Sequence, residues 1–109
     1  MVYANKMYVF GGEDSNGNNN EFFVLDLETF QWERLDGDQL GQPPEARSFH
    51  AYTMIPNSES RKGHPRMAIF GGYTDKGFSN DLIFFDIVER RWERPGTLYD
   101  KATDLPTPR

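Results

Sequence analysis

The chain of 109 residues contains no cysteine. That absence excludes disulfide frameworks, thiolate nucleophiles and cysteine-based zinc sites. With only two histidines, there is also little from which to build a transition-metal site. There is no basic surplus. Twelve Lys and Arg against 17 Asp and Glu give a formal charge of −5, the opposite of a nucleic-acid binder's footprint. No apolar run approaches the roughly 20 residues that a membrane-spanning helix needs. The opening MVYANKMYVFGG lacks the apolar core and cleavage site of a secretory leader, and no Asn-x-Ser/Thr sequon occurs. The expectation is an intracellular, cytoplasmic setting, with neither nucleic acid nor membrane as a partner. Hydrophobic residues make up only 37% of the chain, but aromatics reach 15%. Ten glycines and seven prolines accompany them. Such a composition leans to β-structure with many turns, and it is too aromatic for a disordered tail. The length allows one domain at most.

The chain repeats itself. MYVFGGEDSNGNNNEFFVLDLETFQWERL (7–35) aligns without a gap on MAIFGGYTDKGFSNDLIFFDIVERRWERP (67–95), a shift of 60 with ten identities in 29 positions. Phe10, Gly11, Gly12, Asp26 and Trp32 match Phe70, Gly71, Gly72, Asp86 and Trp92. A fixed period of this kind marks one supersecondary unit written twice. Its periodicity is that of strands. Lys6 to Phe10 and Arg66 to Phe70 are β-formers that stop at Gly-Gly. Glu21 to Leu27 and Asp81 to Ile87 are apolar runs expected to be covered on both faces. Gln31 to Leu35 and Arg91 to Arg94 are short strands centred on tryptophan, and Ser48 to Ile55 is a further strand. Asp14 to Asn20 and Asn57 to Pro65 are the longer loops. No segment carries a helical stripe.

These residues resemble the kelch motif, in which Gly-Gly follows an aliphatic strand and an acidic residue precedes a tryptophan by six. Asp26 and Trp32, and Asp86 and Trp92, keep that interval, and the second glycine lies 20 residues before the tryptophan in both copies. Pro44, Arg47 and His50 in PPEARSFHAY are similar to the family's P-x-x-R-x-x-H lead strand. The tyrosine common before the acidic residue is replaced by Leu25 and Phe85. Only Val2 to Ala4 stand where the first copy's lead strand belongs. The resemblance implies an all-β fold: a partial β-propeller of about two four-stranded antiparallel blades from a larger ring. Residues 1–36 form an incomplete blade with a missing or truncated lead strand. Residues 37–46 form the inter-blade loop, 47–95 a near-complete blade, and 96–109 a connection to a following blade. Two blades leave two sheet faces uncovered, so the remaining blades in cis, or copies of the chain in trans, are expected to cover them.

Each motif has a structural and a chemical reading. Gly11-Gly12 and Gly71-Gly72 lack the Gly-Lys-Ser/Thr of a phosphate loop, so they read as positive-φ or close-approach positions. Trp32 and Trp92 read as packing between sheets. Asp26 and Asp86 read as side chains accepting from turn amides. Arg47 reads as a donor to carbonyls between blades, or else as an anion site at the channel mouth. On a regular strand, His50 would point to the opposite face from Arg47. His64 reads as a solvated side chain, and Asp36-Gly37-Asp38 as a polar turn rather than a calcium loop. No catalytic, metal-binding or cofactor-binding residue is assigned. Copper oxidases on similar propellers need a Tyr–Cys crosslink. The iron-dependent plant specifiers of this family use an E-x-x-x-D-x-x-x-H spacing, which is absent.

The expected function is therefore non-enzymatic protein–protein interaction, as in kelch substrate receptors, cytoskeletal binders and GTPase effectors. The alternatives are an enzyme or metal-dependent specifier, or a module that assembles into a ring. In an antiparallel meander, one face receives Glu13, Asp14, Asp36, Asp38, Glu45, Asp75, Asp100 and Asp104 against Lys76 and Lys101, a net of −6. The loop Asn57 to Arg66 on the other face nets +2. Tyr73, Phe78 and Tyr99 join the acidic face. Aromatics among carboxylates suit a partner protein with a basic segment.

Overall fold

In the computed structural model, the residues described are 1–55 and 64–94. In chain order the strands are β1 (Val2–Tyr3), β2 (Lys6–Asp14), β3 (Gly17–Asp26), β4 (Trp32–Arg34), β5 (Arg47–Ser48), β6 (Ala51–Ile55), β7 (Arg66–Phe70), β8 (Tyr73–Thr74), β9 (Gly77–Phe78), β10 (Leu82–Asp86) and β11 (Arg91–Glu93). The described residues hold no α-helix, only a 3₁₀ turn at Asp38–Leu40. The fold is all-β, with two four-stranded antiparallel sheets in the manner of partial propeller blades. One runs β1-β2-β3-β4, the other β6-β7-β10-β11. A third sheet, β5-β8-β9, lies at one end of the second blade.

The repeat in sequence is a repeat in register. Lys6 lies opposite Asp26 and Phe10 opposite Phe22, and 60 residues on Arg66 lies opposite Asp86 and Phe70 opposite Leu82. A shift of one residue would turn the apolar set to the wrong face, so alternation pins this register in both copies. The lead connections differ. In the first sheet, Ala4 (φ +51) and Asn5 (φ +62) alone turn β1 into β2. Two successive left-handed residues give a turn whose twist matches the flanking strands.

Side chains of the two sheets face each other and form one core. Tyr8, Phe10, Phe22 and Val24 of the first sheet meet Met67, Ile69, Ile83, Phe85 and Trp92 of the second. The rings interlock: Phe22 is 4.8 Å from Phe85 and 5.0 Å from Trp92, and Phe10 is 5.4 Å from Trp92. Edge-to-face and tilted contacts at these distances add to the stabilisation from burial alone.

The structure corrects several expectations. Ser48 to Ile55 is not one strand: Phe49 has φ +59, which ends β5 and frees the chain to start β6 in a different sheet. Asp14 to Asn20 is not a loop but the end of a hairpin. Asp14 Oδ1 accepts from the Asn16 amide at 2.8 Å, closing a turn of Ser15 and Asn16, and β3 starts at Gly17. β2 does not stop at Gly-Gly, because a bulge after Phe10 carries it on to Asp14. In the second copy β7 does stop there, and β8 swings out to pair with β5. Trp92 packs between the sheets as expected, but Trp32 does not: it is 57% exposed on the outer face of the first sheet. Arg66 belongs to no basic loop. It is buried at the start of β7, its guanidinium 4.2 Å from the Phe84 ring centroid and 3.7 Å from Glu93. The Asn57 to Pro65 loop lies outside the described residues, apart from its last two.

Candidate functional surface

The end of the molecule beyond the Gly-Gly doublets is organised by the lead strand. Arg47 is fully buried, and its fork has three partners. Nε donates to the Glu45 carbonyl at 3.1 Å, Nη1 to the Gly71 carbonyl at 3.0 Å, and Nη2 to Asp81 Oδ2 at 3.4 Å. The planar guanidinium suits this divergent set. Its burial keeps it from the solvent-facing role of an anion site.

The lead strand's backbone also explains the glycines. A Cβ at Gly11 would come within 2.7 Å of the Arg47 carbonyl oxygen, and one at Gly72 within 2.8 Å of the Ser48 carbonyl oxygen. Gly11 of the first repeat and Gly72 of the second thus hold opposite sides of one strand. Gly12 faces open space at φ +112 just past the β2 bulge, and Gly71 has φ +70 where β7 ends, so these two serve the backbone's conformation. His50 lies towards the first blade, its ring 5.6 Å from Phe10. Arg47 reaches into the second blade, so the two diverge, though the strand between them is broken. Burial lowers the His50 pKa, the neighbouring Arg47 charge adds to this, and a hydrogen bond with the Phe10 backbone opposes both.

Around this strand the loops draw together. Asn18 Nδ2 in the β2–β3 hairpin donates to the Tyr73 carbonyl at 3.1 Å, and Asn20 Nδ2 donates to that of Pro44 at 3.4 Å. Glu13 lies opposite Asn18 in the ladder, and Asp14 opposite Gly17. Tyr73 and Phe78 are cross-strand partners in β8–β9, their rings 5.3 Å apart, edge to face and exposed. Four of the sequence-predicted residues, Glu13, Asp14, Tyr73 and Phe78, therefore occupy neighbouring hairpins. Lys76 is turned away from free use by Glu45, 3.4 Å from its Nζ.

Asp36 stands apart. It pairs with Arg34 at 3.4 Å, on the rim of a cleft of about 270 Å³ floored by Phe22, Leu35, Leu40 and Trp92. Glu21 shares the same arginine at 3.3 Å. Tyr99 and the side chain of Asp38 lie outside what the structure describes. Sequence reasoning missed Phe49, which is 85% exposed beside Ser48, the residue paired with Tyr73.

At the opposite end, Asp26 and Asp86 play one role twice. Asp26 Oδ1 accepts from the amides of Glu28 and Thr29, and Asp86 Oδ1 from those of Val88 and Glu89, all at 2.8–3.2 Å. Both carboxyls are held below their ordinary pKa. For Asp26 the amides of Glu28 and Thr29 dominate. For Asp86, burial pushes upward but is outweighed by the Glu89 amide, His64 and the Val88 amide. His64 is not a solvated side chain, since its Nδ1 lies 2.9 Å from Asp86 Oδ2. With Glu89, these donor atoms fall within 4.8 Å of one another, the one such group among the described residues. The hydrogen bond accounts for the His64–Asp86 contact.

Comparison with known proteins agrees with the geometry. A family model described as the KLHDC2/KLHL20/DRC7 Kelch-repeats domain matches residues 1–109. The chain is 32% identical to acyl-CoA-binding domain-containing protein 5 of Arabidopsis thaliana, over 99% of this chain and 15% of that protein. It is 32% identical to kelch domain-containing protein 1 of Homo sapiens, over 81% of this chain and 20% of that protein. It is 27% identical to human leucine-zipper-like transcriptional regulator 1, over 84% and 10% respectively. The chain thus spans a fifth or less of these relatives.

Proposed function

The chain belongs to the kelch-repeat family, whose repeats generally serve as protein-interaction modules, and from that premise we propose that it binds a basic segment of a partner protein through the hairpins beyond its Gly-Gly doublets. The observation that carries this reading is the Asn18–Tyr73 hydrogen bond. It fastens a hairpin bearing Glu13 and Asp14 to one bearing Tyr73, Asp75 and Phe78. Loops held on a rigid sheet are where repeat scaffolds carry specificity. Glu13, Asp14 and Asp75 have no ion pair among the described residues, so their field is available to steer a cation. Replacing Glu13, Asp14 and Asp75 together by lysine should weaken capture of a basic partner and flatten its salt dependence. Equal binding at equal salt sensitivity would refute the reading.

The outer face of the first sheet supports a second partner. Met7, Val9, Phe23, Leu25 and Trp32 occupy the repeat positions of Met67, Ile69, Ile83, Phe85 and Trp92. The latter five are buried by the first sheet. The occupant that fits is another kelch sheet, presenting a face like Tyr8, Phe10, Phe22 and Val24, supplied by the same polypeptide. Light scattering on the 109-residue chain tests this. A defined ring of copies would overturn supply in cis, whereas aggregates of no defined mass would support it.

A further inference from the structure

Phe49 is the most exposed large apolar side chain of the described residues, and its backbone is left-handed, with φ +59. Glycine adopts that conformation freely and a phenylalanine does not. No burial of the ring offsets the strain. Phe30 shares this conformation and exposure in the turn after Asp26, at the opposite end. At Phe49 the strain falls beside the loop surface described above, which points to a role outside the fold. Ser48, the residue before Phe49, pairs with Tyr73, and Tyr73 with Phe78, so the backbone of Phe49 leaves the sheet one residue after the strand that faces these two exposed rings. The Asn18–Tyr73 hydrogen bond sets Glu13 and Asp14 beside them, and Asp75 lies in the β8–β9 turn.

We infer that Phe49 is the anchor of this surface, and that its occupant is an extended, arginine-bearing segment of a partner protein. The inference rests on the interaction reading above and adds the anchor and the cation. A guanidinium stacks flat on an aromatic ring while its fork reaches a carboxylate. A lysine ammonium is a compact, strongly hydrated point charge with no planar face to stack. Rings bordered by unpaired carboxylates therefore favour arginine. The left-handed backbone fixes where the ring leaves the chain, between β5 and β6, so the anchor's attachment point is set before contact.

The test is a displayed library of random peptides selected on the full-length protein, with the winners re-measured as free peptides. Arginine should be enriched over lysine. Phe49→Gly should lower affinity about tenfold or more, as loss of an interface anchor does. The same variant should unfold no more easily than wild type, because glycine relieves the backbone, so the loss cannot be assigned to misfolding. Phe49→Trp should retain binding. If the winners need Glu13 and Asp14 yet bind Phe49→Gly unchanged, the anchor is wrong and the interaction reading stands. If lysine is enriched as strongly as arginine, the guanidinium assignment falls. If the library yields no basic peptide, or Glu13→Lys with Asp14→Lys leaves binding intact, the interaction reading fails and takes the anchor with it.

Discussion

Trp32 and Trp92 occupy the same place in two copies of one unit, in strands of the same register, six residues after the same aspartate. One is 57% exposed, the other 8%. Nothing local separates them. Trp92 has the first sheet's Phe10 and Phe22 against it, whereas the one ring beside Trp32 among the described residues is its own sheet's Phe23, at 6.2 Å. A repeat position therefore encodes a shape to be covered, while burial is conferred by whatever lies next to it.

The largest expected effect tests that difference directly. Trp92→Ala should cost about 3–5 kcal/mol, the range for emptying a packed aromatic site. Trp32→Ala should stay within about 0.5 kcal/mol in this chain, as an exposed substitution does. Urea unfolding of both variants decides it. Repeating Trp32→Ala in the full-length protein sharpens it: a cost rising into the Trp92 range would mean that another sheet lies on this face.

The two doublets offer a second contrast, of intermediate size. Alanine at Gly11 or Gly72 must push against a lead-strand carbonyl as well as adopt a positive φ. Overpacking against backbone and left-handed strain each cost about 1–2 kcal/mol or more. Gly12→Ala meets no atom within 4 Å and carries the strain alone. Thermal unfolding should therefore rank Gly11→Ala and Gly72→Ala below Gly12→Ala. Equal losses would mean that the close approach of Arg47 and Ser48 does not determine the motif.

Next in size is acid sensitivity. Asp26 and Asp86 both have folded pKa values below their ordinary one. Such groups contribute stability above their unfolded pKa of about 4, and it is lost as pH falls through the folded value. Asp86 is almost fully buried and has His64 beside it, while Asp26 is half-exposed with Lys6 at 3.9 Å. Asp86→Asn should cost about 1.5–3 kcal/mol near neutrality, as charged hydrogen bonds do. Asp26→Asn and Asp86→Asn should each remove part of the acid dependence. Denaturant midpoints measured from neutral to acid pH check this, and an unchanged pH dependence in either variant would refute that carboxylate's share.

Much of this architecture is legible in the residues, because strand register follows from alternation, and alternation is local. The shift of 60, the doublets and the aspartate-to-tryptophan interval place β2, β3, β4 and their counterparts. What escaped depends on distant groups or on backbone dihedrals. The Asn-rich stretch at 16–20 reads as a loop, yet a single aspartate–amide contact makes it a hairpin. Arg66 looks like loop charge until Phe84 and Glu93 are placed around it. Within the candidate surface, the meander rule brings Glu13, Asp14, Tyr73 and Phe78 together. Asp36 is lost to Arg34, a pairing invisible from spacing. Phe49 carries no sequence signal beyond standing between Arg47 and His50, where β5 gives way to β6.

The smallest effect again compares the two copies. Phe30 and Arg90 are equivalent positions in the turn after the aspartate, with φ +58 and +57. Asparagine tolerates that region better than either, since its short side chain can hydrogen-bond locally. Phe30 is exposed and its ring has no contact that would offset the strain. Phe30→Asn should therefore stabilise the chain by up to about 1 kcal/mol. Arg90 also reaches across to the first sheet, its Nη1 3.0 Å from Glu33 Oε2. An exposed pair of this kind contributes about 0.2–1 kcal/mol. The same gain in Arg90→Asn should then be largely cancelled. Paired thermal melts at low and high salt separate the two contributions. Salt weakens the Arg90–Glu33 pair, so the variants should converge as ionic strength rises. If Phe30→Asn destabilised the chain, the Phe30 ring would have a packing role that its exposure does not show.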